Sequence, residues 1–315
     1  MRILVTGATG FVMANLVRHL AEGGHPVVAA DLNPPDDRLA RFLSGLAGGV
    51  EFRRVDVTDA GAVRALVDAT RPERTVHGAA ITAIPPDTER TRFRSTVEVN
   101  VMGTLNALEA LRKLPGRIVV VSSGSVYGTP DDALSEDSVT APRGLYPITK
   151  FAADALARRF AAIHALDLAV VRLASPFGPF ERDTGSRPLL SPIQHWATAA
   201  LRGEPIRVSG SPEQPRDAAH VADVASGIAA VLLAPRLDHD VYNIGWGCCA
   251  TAREILDVLA RLVPGARFTF VPGETPPWAT RGPLLCDRLR ALGWRPRYDL
   301  ESGLAAYLAW LKVNG

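Results

Sequence analysis

The sequence predicts an α/β fold: one parallel sheet wound on both faces by helices, with a smaller C-terminal region attached. Short β-branched runs alternate with longer helical patterns through the first half of the chain, and parallel strands require such crossovers. The first of these runs leads straight into a glycine-rich turn and a helix. After Pro176 the pattern breaks into short pieces punctuated by Gly178, Pro179, Gly185, Pro188 and Pro192. A chain of 315 residues with 47% apolar content can bury a core of this size without disulfide staples.

Strands are predicted over residues 2–6, 27–31, 50–55, 75–79, 117–122 and 168–173, each closed by a helical or turn signal. Helices are predicted to begin near Phe11, Asp59 and Tyr146. A long helix is predicted over 93–114, stopped by Pro115-Gly116. Residues 1–175 then form the doubly wound unit, and 176–315 form mainly a second region that lends material back to the sheet within 218–246. The proline-rich stretch 268–283 is expected to be an ordered loop without a regular element.

Composition narrows the function classes. The net charge is +2, and the densest basic spot, Arg90, Arg92 and Arg94 beside Glu89, suits a solvated face, so no nucleic-acid partner is expected. The apolar stretch 224–234 falls short of the roughly 18 residues that suggest a membrane span, so no membrane partner is expected either. The opening residues read as a buried strand, so no leader peptide is expected. Cys248, Cys249 and Cys286 supply neither a disulfide framework nor metal-ligand spacing, which predicts no metal and a cytoplasmic location.

The first turn carries the first chemical signal. In Thr6-Gly7-Ala8-Thr9-Gly10-Phe11-Val12, Gly7 permits a tight strand-to-helix turn, and Gly10 lets backbone N–H groups approach a pyrophosphate at the positive end of a helix. Asp31 closes the second strand about 20 residues later, where a carboxylate accepts hydrogen bonds from a ribose 2′-hydroxyl, which favours NAD over NADP. Asp56 follows the third strand at a location suited to an adenine amino group, although a helix-start acid before Asp59 explains it nearly as well. Tyr146-x-x-x-Lys150 places a phenol and an ammonium on one helix face. A neighbouring cation favours phenolate and would bring the tyrosine toward the working range of a general base.

Together with these, His77-Gly78-Ala79-Ala80, Asn100-Val101-x-Gly103-Thr104, Ser122-Ser123-x-x-Val126-Tyr127-Gly128, Arg216-Asp217-x-x-His220-Val221-x-Asp223-Val224 and Leu292-Gly293-Trp294 complete a pattern spanning nearly the whole chain. It resembles the extended short-chain dehydrogenase/reductases of the NAD-dependent epimerase/dehydratase superfamily, nucleotide-sugar 4-epimerases in particular. The resemblance implies a Rossmann-type sheet, NAD as cofactor, and catalysis by Ser123, Tyr146 and Lys150, with Asn100 bending its helix to support a proton relay. Cofactor contacts are expected from Gly7, Gly10, Phe11, Val12, Asp31, Asp56, Val57, Ala79, Ala80, Tyr146 and Lys150. Substrate contacts are expected from Ser123, Ser125, Ser175, Arg182, Arg216 and Arg281, the last two as guanidinium partners for a diphosphate. A homodimer is implied, paired through the long helix and the alanine-rich Tyr146 helix.

Three departures bear on function. Met13 stands where the family pattern has its third glycine, so either the helix shifts or the dinucleotide is held less tightly. Gly124 and Ser125 stand where the 4,6-dehydratases carry the Asp-Glu pair used for water elimination, which disfavours dehydration. Ala218-Ala219 replaces an aromatic-aliphatic pair, which leaves room for a substrate smaller than a nucleotide sugar. The sequence therefore predicts hydride transfer at a secondary alcohol or ketone of a sugar or nucleotide sugar, of the epimerase type. A dehydrogenase or reductase of a sugar acid or other small secondary alcohol, and a non-catalytic dinucleotide-sensing protein, remain as alternatives.

Overall fold

The structure, a computed structural model, describes residues 1–82, 85–273 and 281–314. Among the described residues, thirteen strands follow one another along the chain. They are β1 (Ile3–Thr6), β2 (Val27–Asp31), β3 (Val50–Arg54), β4 (Arg74–His77), β5 (Ile118–Ser123), β6 (Leu168–Leu173), β7 (Ser175–Phe177), β8 (Ile206–Ser209), β9 (Pro215–Arg216), β10 (Ala218–His220), β11 (Val241–Ile244), β12 (Ala250–Thr251) and β13 (Phe268–Val271). The α-helices are α1 (Phe11–Glu22), α2 (Asp37–Phe42), α3 (Ala60–Thr70), α4 (Pro86–Val97), α5 (Gly103–Leu111), α6 (Leu145–His164), α7 (Pro192–Leu201), α8 (Val221–Leu233), α9 (Ala252–Leu262), α10 (Asp287–Ala291) and α11 (Leu300–Asn314).

Seven of the strands form one parallel sheet in the order β11-β6-β5-β4-β1-β2-β3. The chain winds outward from β1 in both directions. The carboxyl ends of β1 and β4 therefore flank the switch point at which open sheets of this kind bind ligands. The interior strands are buried on both faces, as their unbroken β-branched runs require. The outermost strand β3 is half-solvated and carries Glu51, Arg53 and Arg54, charges that blunt a free edge.

On one face, Leu16, Val17 and Leu20 of α1 pack with Val224, Ile228 and Leu232 of α8. On the other, α3, α5 and α6 contribute Val63, Leu66, Leu108, Leu111, Ala157 and Ala161. A separate core draws Trp196 of α7, Ile255 and Leu256 of α9, and Tyr307 and Leu308 of α11 over the carboxyl end of the sheet.

Several boundaries move relative to expectation. The helix expected over 93–114 begins at Pro86 and is broken by a π-helical turn at Glu98–Met102. Within 218–246 only β11 joins the main sheet, because β10 pairs with β7 in a small sheet of its own. The stretch 268–283 is not wholly irregular. Its aromatic and β-branched start, Phe268–Val271, pairs with β8 before Pro272 ends the ladder. Residues 274–280 of that stretch lie outside those described.

Candidate active site

The turn after β1 is as tight as its glycines suggest. Gly7 has φ +71°, and a Cβ there would lie 2.7 Å from the backbone of Ala79, so only glycine lets the turn close against the end of β4. Gly10 donates its N–H to the Gly7 carbonyl at 3.0 Å. No side chain caps α1, which begins at the next residue, so its first-turn amides are available to an anion. Asp31 is oriented by the Thr9 N–H at 2.9 Å and the Leu32 N–H at 2.7 Å, one on each carboxylate oxygen, and keeps acceptor capacity for ribose hydroxyls. Asp56 also lines the cleft, with Val57, but one of its oxygens closes a local turn through the Thr58 N–H and hydroxyl at 2.9 and 2.7 Å.

Of the two expectations for Met13, a shift of the helix is not what the structure shows. Helix α1 runs without distortion from Phe11, and the Met13 side chain is buried. Its Sδ and Cγ lie 2.3 and 2.6 Å from the point where Gly78 would place a Cβ. The missing side chain on β4's extension thus makes room for the extra one on α1. Beside it, His77 Nδ1 and Thr6 Oγ1 are 2.9 Å apart, and burial with the nearby Lys150 charge pushes the imidazole down to about 3.

At the other end, β5 delivers Ser123 and the first two turns of α6 deliver Tyr146 and Lys150. Ser123 Oγ accepts both the N–H and the hydroxyl of Ser125, at 3.1 and 2.9 Å, and lines the same cleft as Tyr146. With both lone pairs engaged, the Ser123 proton is what remains to give. Burial pushes the Tyr146 phenol up, opposed by the Ser123 hydrogen bond and then by the charges of Arg187 and Arg281. The expectation of a phenol lowered chiefly by Lys150 does not hold in the protein alone, because desolvation outweighs the neighbouring cations. Lys150 is itself pushed down to about 8 by burial, against the pull of the Asp154 carboxylate.

Asn100 does not line the cleft but stands behind it, at the π-helical turn. Its amide oxygen accepts the Ile81 N–H at 2.8 Å, and its nitrogen donates to the Ile81 carbonyl at 2.9 Å and to Thr149 Oγ1 at 3.0 Å. Thr149 in turn donates to the Tyr146 carbonyl at 2.9 Å. The residue between Tyr146 and Lys150 is thereby tied to the segment after Ala79-Ala80. Sequence reasoning missed Thr149, whose place inside the Tyr-x-x-x-Lys spacing was its signal.

A cleft of about 1160 Å³ joins the two ends. Every residue expected to contact cofactor or substrate lines it: Gly7, Gly10, Phe11, Val12, Asp31, Asp56, Val57, Ala79, Ala80, Ser123, Ser125, Tyr146, Lys150, Ser175, Arg182, Arg216 and Arg281. Arg216 lies over the Trp196 ring at 5.2 Å and donates to Gln214 Oε1 at 3.0 Å, and burial pushes its guanidinium down to about 10. Arg182 is drawn to Asp36, the N-cap of α2, at 3.4 Å. Arg187, missed in the sequence because no motif spacing marks it, pairs with Glu181 at 2.8 Å over the Phe11 ring. The loop bearing it is latched by the Thr82 N–H to the Ser186 carbonyl at 2.8 Å. Among the described residues, no three His, Cys, Asp or Glu side chains are placed to hold a metal, and no helix is long and apolar enough to cross a membrane.

A dinucleotide turn at the switch point of a parallel sheet, facing a Ser-Tyr-Lys constellation, defines a nucleotide-dependent oxidoreductase-type site. Residues 3–245 match the NAD dependent epimerase/dehydratase family, and the chain belongs to it. It is 31% identical to a dTDP-glucose 4,6-dehydratase of Actinoplanes sp., covering 100% of this chain and 98% of that protein. It is equally 31% identical to a UDP-glucose 4-epimerase of Mycolicibacterium smegmatis, over 97% of this chain and 96% of the relative. Among solved structures, MoeE5 in complex with UDP-glucuronic acid and NAD is similar over 100% of both chains, with TM-score 0.84 and 30% identity. The UDP-glucose 4-epimerase of Thermotoga maritima shares the fold at TM-score 0.87.

Proposed function

We propose that this chain is an NAD-dependent epimerase that moves a hydride off and back onto a secondary-alcohol carbon of a nucleotide sugar. The reading rests on one observation above the others: Ser123, Tyr146 and Lys150 line one cleft whose far end is the Gly7–Gly10 turn, while the two residues after Ser123 bring no carboxylate. The turn and Asp31 fit NAD, because Gly7 admits no Cβ and the amides at the start of α1 have no side-chain cap. Gly7, Gly10 and the α1 amides would hold its pyrophosphate, Asp31 a ribose, and Lys150 the nicotinamide ribose. NAD supplies a hydride acceptor there that returns what it takes.

In the forward half-reaction the substrate O–H proton passes to the Tyr146 oxygen as the C–H bond breaks, leaving a ketone. The Ser123 hydroxyl supports the charge that develops on the carbonyl oxygen. The charges of Arg187 and Arg281 favour the phenolate, against the burial that opposes it. Tyr146 would give the proton back to the carbonyl oxygen when the ketone is reduced on its opposite face, which completes inversion. Dehydration would need an acid and a base in addition, and Gly124 has no side chain while Ser125 spends its hydroxyl on Ser123.

Pairing through α5 and α6 is part of the proposal. Met102, Ile148, Leu156 and Ile163 are exposed on this side, and Phe93 of α4 joins them. Of the alanines in α6, Ala153, Ala157 and Ala161 are spent on the protein's own core.

The activity is tested by incubating the NAD-loaded protein with UDP- and dTDP-hexoses and following the C4 epimer by NMR. Epimerisation without accumulation of reduced nicotinamide is expected, and Tyr146→Phe should slow it by roughly 10²–10⁴-fold, the usual worth of a positioned acid–base group. Stoichiometric NADH would replace the epimerase reading with a dehydrogenase, and undiminished turnover by Tyr146→Phe would refute the mechanism.

A further inference from the structure

A second cavity, of about 650 Å³, lies where α1, α2, α11 and the loop after β7 meet, and it shares no lining residue with the cleft. Its floor is aromatic: the Phe42 and Phe180 rings are 4.4 Å apart, and Phe180 is 5.4 Å from Trp310. Phe180, at φ +67°, is buried in one cluster with Phe11 and Ala14 at the start of α1. Around this floor stand three guanidinium groups, those of Arg18, Arg38 and Arg41.

The three are not equivalent. Arg18 is spent within the protein: its Nε pairs with Glu22 at 2.7 Å, its Nη1 donates to the Phe42 carbonyl at 2.9 Å, and its guanidinium lies 4.5 Å over the Phe42 ring. Arg38 rests over the Trp310 ring at 5.6 Å, a contact that leaves its N–H groups without acceptors. Among the described residues, neither Arg38 nor Arg41 has an ion-pair or hydrogen-bond partner for its guanidinium. Asp36, at the head of their helix, is committed to the Leu39 N–H at 2.8 Å and to Arg182 at 3.4 Å, and Asp37 is not part of the lining. The cavity therefore carries two uncompensated positive charges over an apolar floor.

We propose that this cavity is a second ligand site and takes an organic phosphate: Arg38 and Arg41 hold the phosphate, and its carbon skeleton lies on Phe42 and the exposed Val313, with Phe180 and Trp310 beneath. Charge and size both select this class. A phosphate monoester carries about −1.5 to −2 charges at neutral pH, which matches two free guanidinium groups, whereas a carboxylate would match one. The volume falls within the roughly 300–1,000 Å³ of small-molecule sites, so most of it is left for a group beyond the phosphate, and the aromatic floor gives that group an apolar seat. The proposal goes beyond the epimerase reading and does not depend on it. The site nonetheless touches the cofactor cleft through one ring: Phe180 packs with Phe11 of the pyrophosphate turn, and Arg182, 5.3 Å over the Phe180 ring, lines the cleft.

The test is titration of the NAD-loaded protein with phenyl phosphate, followed by tryptophan emission, with Trp310→Phe identifying the source of the signal. Saturable binding with Kd below about 1 mM is expected. Inorganic phosphate should bind at least about tenfold more weakly, since it covers no apolar surface, and phenol should not bind in the same range. Replacing both cations, Arg38→Gln with Arg41→Gln, should weaken phenyl phosphate at least about tenfold, while Arg216→Gln in the cleft should leave its affinity within about twofold. Thermal melts confirm that each variant is folded. Absence of saturable binding, or equal affinity for inorganic phosphate, would overturn the proposal. So would a signal that survives Trp310→Phe, or binding that Arg216→Gln abolishes and the Arg38 and Arg41 replacements spare, since each would place the ligand elsewhere. None of these outcomes bears on the epimerisation assay, so the two readings stand or fall separately.

Discussion

Met13 and Gly78 should behave as one unit. A Cβ on Gly78 would overlap Met13 Sδ at 2.3 Å and Cγ at 2.6 Å, against the ~3.5–4.0 Å of a normal contact, so Gly78→Ala alone must push the thioether off its seat. Overpacking of this kind costs about 1–3 kcal/mol, toward the lower end here because a methionine chain is flexible. Met13→Ala alone removes three buried heavy atoms beside a residue that has none to offer, and truncations of this type cost about 2–5 kcal/mol. Combining Met13→Ala with Gly78→Ala removes that overlap and refills part of the same volume from the other side. The double variant should then be about 1–3 kcal/mol more stable than the sum of the single effects predicts. Urea unfolding of all four proteins measures this coupling, and titration with NAD measures its functional side. Met13→Gly is expected to lose stability without gaining NAD affinity, since the methionine side chain is packed into the space at Gly78. Additivity within about 0.5 kcal/mol, or a tighter cofactor complex in Met13→Gly, would refute the reasoning.

Two further outcomes follow from burial. His77 and His220 are pushed down to about 3 and about 4 by desolvation, against an ordinary 6.5, so below pH 6.5 the unfolded chain takes up protons that the native chain refuses. Their contribution to stability is complete above pH 6.5 and is lost as pH falls, by about 2 kcal/mol each at pH 5. Asp217, pushed up to about 6 by burial, works in the opposite direction and returns about 1 kcal/mol. Urea unfolding at pH 7.5 and 5.0 should therefore differ by about 3 kcal/mol, and a flat profile would contradict the buried, neutral imidazoles. For quaternary structure, Leu156→Glu with Ile163→Glu places two charges on the exposed apolar face of α6. Light scattering at micromolar concentration should show a dimer for the parent and a monomer for the variant; a monomeric parent would refute pairing.

The parts of the fold legible in the sequence were those written in local periodicity. β1, β2, β5 and β6 are β-branched runs of four to six residues. Their parallel order needs only short strands separated by helices long enough to cross over. The cofactor turn and the Tyr-Lys pair were legible for a related reason: each is a chemical requirement met within one turn and one helix, so spacing along the chain equals spacing in space. The start of α4 was not legible, because Pro86, Asp87 and Glu89 form a polar first turn with no apolar stripe to mark it. The strand Phe268–Val271 was hidden by the prolines that follow, whose effect begins only at Pro272.

What no local pattern carries is complementarity between distant residues. Gly78 and Gly124 read in the sequence as positions lacking a side chain, one unremarkable and the other merely the loss of a dehydratase acid. In the structure each is a place filled by another residue, Met13 over Gly78 and Arg281 over Gly124. The first substitution lets a helix carry methionine where its relatives' pattern has glycine and still begin at Phe11. The second puts a guanidinium at the cleft where the dehydratase pattern carries an acid. The glycine that removes the elimination acid is also the opening through which the guanidinium reaches the cleft. A Gly124→Asp variant would consequently not restore dehydration. Its new carboxylate would be neutralised by Arg281, and Ser125 would still lack the basicity to take a proton from C5.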